Sequence, residues 1–429
     1  MFTYLCNLFY VDKMYNFEIK NKDIEYYHNI FMDNDELKHL LIDDIDRNYL
    51  MVYNKTANKL NHLQKCVLLT NQYPFINNYI QKYLNLYPDI IDYQNSIGYT
   101  ALMIACLNCK TLSSVETIKI LLDNSASLNI KDNNGNTALI LSIFKNNNLN
   151  SEEAIMYLLE KNANVNLKNK YGCTALTYAI KYNHNNIFNM LMLQNPNLYL
   201  KDKYKWSYLF YAVYSNNYDM TLKLLQLNLN VNERNIDSCT PLMYACSISN
   251  SYIIAKLLID NGAYINAKNN INFTALMYVC QYSNENIVRL LLQNNADINI
   301  INHNFHNALS ISCFHSDNPK IVELLINSGA DVNFTLNDNT KIISLLEEND
   351  IDIIKILLKY NASLDDIKDK KIRKKVKSEI FNNYNNLVKN INTCDKCSLA
   401  NIIISPCNNN HKICITCFNE DQRCKICLP

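Results

Sequence analysis

The residues best suited to chemistry lie at the end of the chain, within residues 394–429. Seven cysteines and one histidine occur there in four pairs: Cys394, Cys397, Cys407, His411, Cys414, Cys417, Cys424 and Cys427. Thiolate and imidazole groups are typical ligands of tetrahedral zinc, and two cysteines separated by two residues can bind one ion. Because so short a segment has no core of its own, metal binding must supply its folding energy. The spacing predicts two structural zinc ions, with disulfides or free thiols as the alternatives.

The order and spacing of these ligands, C-x2-C-x9-C-x3-H-x2-C-x2-C-x6-C-x2-C, resemble the RING finger family. The resemblance implies that the pairs interleave. One zinc would be held by Cys394, Cys397, Cys414 and Cys417, and the other by Cys407, His411, Cys424 and Cys427. RING domains recruit a ubiquitin-conjugating enzyme and stimulate ubiquitin transfer without a covalent intermediate of their own. The implied partner is therefore a ubiquitin-conjugating enzyme, and the finger would act by positioning.

Three positions depart from the family's pattern. Lys396 stands where an apolar residue is common, Lys425 where proline is common, and Leu428 where a basic residue is common. In the family that basic residue helps to hold the ubiquitin conjugate in its reactive pose. Two functions therefore stay open: a RING-type ubiquitin ligase, or a non-enzymatic interaction module with a structural zinc finger.

A short sequence phrase that recurs ahead of this finger predicts the helices to which the finger is attached. It recurs as TALMIA at Thr100, TALILS at Thr137, TALTYA at Thr174, SYLFYA at Ser207, TPLMYA at Thr240 and TALMYV at Thr274, and continues at Asn307 and Thr340. Successive copies are 33 to 37 residues apart, and a second apolar segment, most often with a Leu-Leu pair, follows each of them. Threonine or serine before an apolar stretch caps a helix, and a Pro such as Pro241 suits the first helical position. The second segment predicts another helix, which ends where Gly262, Gly329, Asn162 or Asn295 can adopt a left-handed conformation.

These units resemble the ankyrin-repeat family, whose motif runs G-x-T-P-L-H-x-A, then V-x-x-L-L, then G-A-D-V-N. The resemblance covers about residues 92–365. It implies an all-α ankyrin-repeat solenoid of helix-turn-helix units that presents its turn tips and first helices to a protein target. Methionine replaces the motif's histidine at Met103, Met243 and Met277, so we expect looser turns. The asparagine-rich sequence also resembles the ankyrin proteins of giant DNA viruses.

Five segments are predicted along the chain. They are an N-terminal helical segment or cap (1–54), a degenerate capping repeat (55–91), the ankyrin repeats (92–365), a basic helical linker (366–393) and the RING-like finger (394–429). In the units at Thr100 and Thr137 the period is longer, and we expect the extra residues between the two helices. The linker carries Lys368, Lys370, Lys371, Arg373, Lys374, Lys375 and Lys377. A solvated helix is the favoured interpretation of it, with nuclear import or nucleic-acid contact as the alternative.

Composition limits the location and the class of partner. The formal net charge is +1, which does not favour nucleic acid or a membrane surface as partners. The sequence contains no apolar run long enough to span a membrane and no secretory signal, so we expect an intracellular, cytoplasmic protein, in the host cell if it is viral. The basic linker would be the route to the nucleus. Asparagine makes up about one residue in six, which we interpret as the bias of an AT-rich genome.

The repeats offer no catalytic motif, and their reactive residue types have simpler explanations. Cys106, Cys246, Cys280 and Cys313 occupy one position of the phrase, and we expect them to fill the core as small apolar residues, Cys109 included. His303, His306 and His315 cluster in one unit without completing a metal-ligand pattern, so we expect them to be solvated turn residues. The array itself is expected to be non-enzymatic.

Overall fold

Paired helices make up most of the structure. The computed structural model describes residues 60–109, 113–143, 152–248, 250–315, 318–337, 339–388, 402–404 and 412–414. The chain divides into two compact units, Met1–Lys203 and Tyr204–Pro429. Within the residue ranges just given, no helix is both long and apolar enough to cross a membrane.

Each repeat consists of a short first helix and a longer second helix, which run one after the other. The first helices span Ala101–Leu107, Ala138–Ile143, Ala175–Lys181, Tyr208–Tyr214, Pro241–Cys246, Ala275–Tyr282 and Ala308–His315. The second helices span Val115–Asp123, Glu152–Glu160, Asn185–Met192, Tyr218–Gln226, Tyr252–Asp260, Glu285–Gln293, Pro319–Asn327 and Ile351–Lys359. The all-α prediction is confirmed for the repeats.

The first helices begin where the repeated phrase predicts, because the phrase supplies the cap. In the Thr174 unit, the Thr174 hydroxyl accepts the Thr177 backbone N–H at 3.3 Å and so satisfies one of the free amides of the first turn. The helix that follows Thr274 is buried over all residues from Ala275 to Cys280. Second helices are buried on one face only, which turns the other face to solvent.

The two longer units carry their extra residues where they are expected. Residues 108–114 separate Ala101–Leu107 from Val115–Asp123, whereas only residues 182–184 separate the corresponding helices of a unit of ordinary length. Residues 144–151 occupy the same place in the other long unit. Residues 110–112 and 144–151 themselves lie outside the described ranges.

The unit at Thr340 differs from the prediction of a full first helix. It forms only the 3₁₀ turn Ile342–Leu345, which begins without a side-chain cap at Lys341. The other described 3₁₀ turns are Pro88–Ile90, Glu348–Asp350 and Leu364–Asp366. Without a capped first turn, this last copy of the phrase does not propagate an α-helix.

Additional helices lie before and after these repeats. His62–Val67 and Ile76–Leu86 form a helix pair ahead of the first full phrase. After the repeats, Lys370–Val388 forms a helix that begins inside the basic segment. Its residues Ile372 and Val376 are 8% and 0% exposed. The expectation of a solvated helix is therefore wrong for its first turns, because an apolar pair anchors them to the protein.

One strand pair lies in the described part of the C-terminal region. Strand β1, Ile402–Ile404, pairs antiparallel with β2, Lys412–Cys414, and Ile403 lies opposite Ile413. Residues 1–54, for which a helical segment or cap is predicted, lie outside the described residues.

Candidate protein-binding surface

Six of the turns that join successive repeats are each held by one buried polar side chain. Its Oδ1 atom accepts the backbone N–H groups of the residues two and four positions ahead; for Asn169 these are Tyr171 and Cys173, both at 3.0 Å. The residues that do this are Asn95, Asp132, Asn169, Asn235, Asn269 and Asn302. This acceptor fixes these six turns, so the looser turns expected from the missing histidine are not seen in them.

Backbone hydrogen bonds join the tip of one turn to the tip of the next. In the compact unit Met1–Lys203, Lys170 N–H donates to the Asn134 carbonyl at 2.8 Å, and Lys203 N–H donates to the Tyr171 carbonyl at 2.9 Å. In the compact unit Tyr204–Pro429, Asn270 N–H donates to the Asp237 carbonyl at 3.0 Å. Because these donors and acceptors satisfy one another, the tips form a fixed frame for their exposed side chains.

A second recurring bond ties three of the turns to a first helix. The side-chain amide of Asn169 donates to the Tyr178 hydroxyl at 2.9 Å, and Asn269 donates to Tyr278 at 3.1 Å. Asn235 makes the same bond to Tyr244 at 3.2 Å. Burial raises the pKa of the Tyr178 and Tyr278 phenols, so these hydroxyls stay protonated. The sequence signal for the bond is an asparagine nine residues before a tyrosine.

Three turn tips of the compact unit Tyr204–Pro429 carry exposed apolar side chains. Ile236, Ile271 and Phe305 are 51%, 49% and 47% exposed. Phe305 holds a left-handed backbone conformation with φ of 61°, which is uncommon for a bulky residue. Large apolar side chains presented on a rigid frame are suited to act as anchors for a protein partner. These three residues are called the apolar tips below.

The cysteines of the repeats are packing residues, as predicted. Cys106, Cys246, Cys280 and Cys313 are at most 4% exposed. Burial raises the pKa of each of these thiols well above its ordinary value, which keeps it in the neutral, unreactive form. Cys109, three residues after Cys106, is also buried, with 6% of its surface exposed.

The three histidines of one repeat have separate environments. His306 is half-buried, lies edge-on to the Phe314 ring, and has Nδ1 3.3 Å from the Ser310 hydroxyl. His303 and His315 are exposed. His306 is therefore partly a packing residue, which corrects the expectation that all three are solvated. In the described ranges, no three His, Cys, Asp or Glu side chains are grouped so that they could hold a metal ion.

The predicted zinc ligands fall almost wholly outside the described residues. Cys394, Cys397, Cys407, His411, Cys417, Cys424 and Cys427 lie there, and Cys414 is described only as the last residue of strand β2. The zinc assignment therefore stays a prediction. In the sequence, the segment that connects the two strands, residues 405–411, contains Cys407 and His411.

Comparison with known proteins identifies what the repeats resemble. The family profile described as ankyrin repeats (3 copies) matches residues 71–169, 113–202, 147–235 and 209–302, and the profile described as ankyrin repeat matches residues 304–337. Ankyrin repeat protein L91 of Acanthamoeba polyphaga mimivirus is 41% identical over 66 residues, which is 15% of this chain and 10% of the viral protein. Ankyrin repeat protein L122 of the same virus is 44% identical over 54 residues, or 13% of this chain and 9% of that protein. The chain thus matches about a tenth of the length of these relatives.

Proposed function

The chain belongs to the ankyrin-repeat family, and we propose that its repeats bind a target protein which the C-terminal segment, as a RING-like finger, presents for ubiquitination. Ankyrin repeats are protein-binding scaffolds, so the first half of this proposal follows from the family. The second half is supported by the spacing of the eight cysteine and histidine residues.

The observation that carries the binding role is the apolar tips on their hydrogen-bonded frame. Ile236 and Ile271 expose about half of their surface, although the backbone beneath them is fixed by bonds between neighbouring turns. A partner that covers these side chains removes apolar surface from water without ordering a flexible loop. That combination favours binding through a few anchors.

The donor set of the finger fits zinc. Cys394, Cys397, Cys414 and Cys417 would hold one ion, and Cys407, His411, Cys424 and Cys427 the other. Seven thiolates and one imidazole provide two sets of four soft ligands, which is the number that a closed, structural zinc site requires. Zinc would supply the folding energy of the segment, and the conjugating enzyme would supply the reactive thioester.

Ligase activity depends on a surface that differs here from the family's pattern. Lys396, Lys425 and Leu428 occupy three positions next to the predicted ligands. A finger that folds around zinc but does not dock a conjugating enzyme would leave a non-enzymatic interaction module, which is the alternative function.

A ubiquitination assay separates the two functions. Purified full-length chain is mixed with ubiquitin, activating enzyme and a panel of conjugating enzymes, beside Cys394→Ala and His411→Ala variants, and bound zinc is measured on the same samples. Ubiquitin chains that form only with the intact protein support the ligase. Two bound zinc ions without chains across the panel would establish the interaction module, and absence of zinc would overturn the finger itself.

The binding role is tested with variants of the apolar tips. A photo-crosslinker at the tips is used to capture a target from amoebal lysate, the host suggested by the viral relatives, with the intact chain and with Ile236→Ser and Ile271→Ser together. Ile253→Ser, a change of a 63% exposed residue on a second helix, is the matched control. Capture that is lost only with the tip changes supports the proposal, and equal capture by all three proteins would exclude this surface.

We place the protein in the cytoplasm, with nuclear entry through the basic helix as the alternative. Imaging of a fluorescently tagged chain in amoebae, with and without charge-reversing changes at Lys374 and Lys377, distinguishes the two.

A further inference from the structure

Three exposed lysines share one side of the helix Lys370–Val388. They are Lys370, Lys374 and Lys377. Successive residues of an α-helix are turned by about 100° about its axis, so these three side chains start within an arc of about 60°. They are called the lysine face below.

The opposite side of the same helix is fixed to the protein. Ile372 and Val376 are buried there, and the helix packs against Ile351–Lys359, the second helix of the last repeat. An ion pair adds to this contact, since Lys355 Nζ lies 2.6 Å from the Glu379 carboxylate. Because the buried side cannot turn outward, the lysine face is held toward solvent.

The carboxylates around this helix are engaged elsewhere. Three of them form ion pairs with other cations at 2.6 to 2.8 Å: Glu348 with Lys375, Asp366 with Lys341 and Glu379 with Lys355. Asp369 accepts the Lys371 backbone N–H at 2.6 Å, at the start of the helix. Within the described ranges, no salt bridge joins the lysine face to a carboxylate. The face is therefore a local positive surface on a chain whose formal charge is only +1.

We propose that the lysine face binds the phosphate backbone of a nucleic-acid duplex without reading its sequence. From Lys370 to Lys377 the helix rises by about 10 Å. Each strand of a DNA duplex presents a phosphate about every 3.4 Å along its axis, so this length meets about three phosphates. The site is independent of the proposed ligase, because it includes neither the finger nor the apolar tips.

The residue types of the face favour phosphates over an acidic protein. Protein interfaces are enriched in arginine and aromatic residues and depleted of lysine. The arginine of this segment, Arg373, is used within the protein, since its guanidinium donates to the Asp365 carbonyl at 2.9 Å and to the Ile367 carbonyl at 3.1 Å. Lysine binds phosphate as a point charge, which requires no planar partner group.

The burial of the apolar side favours nucleic acid over an anionic membrane. A helix that lies in a membrane surface inserts its apolar side into the lipid, but Ile372 and Val376 are already buried in the protein. Attraction to charged lipids alone would supply about 1 kcal/mol for each lysine. A duplex needs no apolar contact, because release of its condensed counterions supplies nearly all of non-specific binding.

The test measures how duplex binding depends on salt. Fluorescence anisotropy of a labelled DNA duplex of about 20 base pairs is followed with the full-length protein between about 50 and 200 mM salt. Three neutralised phosphates predict a slope of about −2.7 for log K against log salt, which is an affinity loss of about 40-fold over this range. A slope near zero would overturn the proposal, as would tighter binding to a single strand of the same length. Binding to phosphatidylserine vesicles without binding to the duplex would also overturn it.

Neutralising variants locate the site. Lys374→Gln with Lys377→Gln leaves one lysine of the face, so the slope should fall to about −0.9 and the affinity loss over the same range to about fourfold. Lys82→Gln with Lys256→Gln removes two exposed lysines of other helices and should leave the slope unchanged. Circular dichroism must show that both variants fold as the intact chain does. An equal change of slope in the two variants would refute the assignment to the lysine face.

Discussion

Replacing Asn235 with alanine should lower the free energy of unfolding of the compact unit Tyr204–Pro429 by about 3 kcal/mol. Its Oδ1 accepts the Cys239 backbone N–H at 2.9 Å and the Asp237 backbone N–H at 3.0 Å, and its amide donates to the Tyr244 hydroxyl at 3.2 Å. Cys239 is 1% exposed, so its N–H cannot turn to water; leaving it without an acceptor costs about 2 kcal/mol. Asp237 is an exposed residue, so its N–H can be hydrated instead, and loss of the Tyr244 bond adds about 1 kcal/mol.

The matched changes isolate the acceptor. Asn235→Asp keeps the Oδ1 atom, as Asp132 does at the equivalent position of another repeat, and should cost about 1 kcal/mol. Tyr244→Phe removes the bond between the turn and the first helix and should also cost about 1 kcal/mol or less. The order of stability is therefore the intact chain, then these two variants, then Asn235→Ala.

The assay is urea denaturation followed by the fluorescence of Trp206, the chain's one tryptophan. The Trp206 ring lies edge-on to the Tyr244 ring at 4.8 Å between centroids, so its emission reports the unfolding of this turn. With an m-value of about 3 kcal/mol per molar, Asn235→Ala should lower the midpoint by about 1 M. Equal midpoints for Asn235→Ala and Asn235→Asp would refute the reasoning, because the two differ mainly in the acceptor.

Three further predictions concern other parts of the chain. Val376→Asp, which places a charge at a fully buried site, should lower the stability of the last repeat by about 3 kcal/mol in native-state hydrogen exchange, whereas Lys374→Asp at an exposed site should change it little. Burial lowers the pKa of His306, so its neutral form favours the folded state above the ordinary pKa of about 6.5 and this stabilisation is lost as the pH falls below that value. His306→Asn should make urea midpoints from circular dichroism less dependent on pH between about 7 and 5, with His303→Asn as the exposed control. Removal of zinc by a chelator should unfold the predicted finger but leave the Trp206 denaturation curve unchanged; a shifted curve would contradict the independence of repeats and finger.

For the seven copies from Thr100 to Asn307, the repeated phrase places the start of the first helix to within a residue because it contains the cap; the copy at Thr340 forms no such helix. Thr100, Thr174 and Thr274 accept the N–H three residues ahead, which is local chemistry that a sequence shows directly. The left-handed residues Asn162 and Asn295 were predictable for the same reason, since the conformation depends on one residue and its immediate neighbours.

Contacts between elements were not predictable from the phrase. The bonds from Asn169 to Tyr178 and from Asn269 to Tyr278 join a turn to a helix, and they exist only once the two have packed. For that reason genome bias is an incomplete interpretation of the asparagine content, because buried asparagines close the turns. The buried Val376 was missed because a dense run of lysines around it hides a two-residue apolar face.

The hydrogen bonds between turn tips also bear on how such a protein can change in length. Each tip offers one N–H to the preceding tip and one carbonyl to the following tip, as Asn270 does toward Asp237 and as Ile271 does for His303. A duplicated repeat inserted between two existing ones would find the same donor and acceptor on either side. Whole repeats can therefore be gained or lost in evolution without changing the backbone bonds between neighbouring tips, while the side chains exposed at the tips diverge toward new partners.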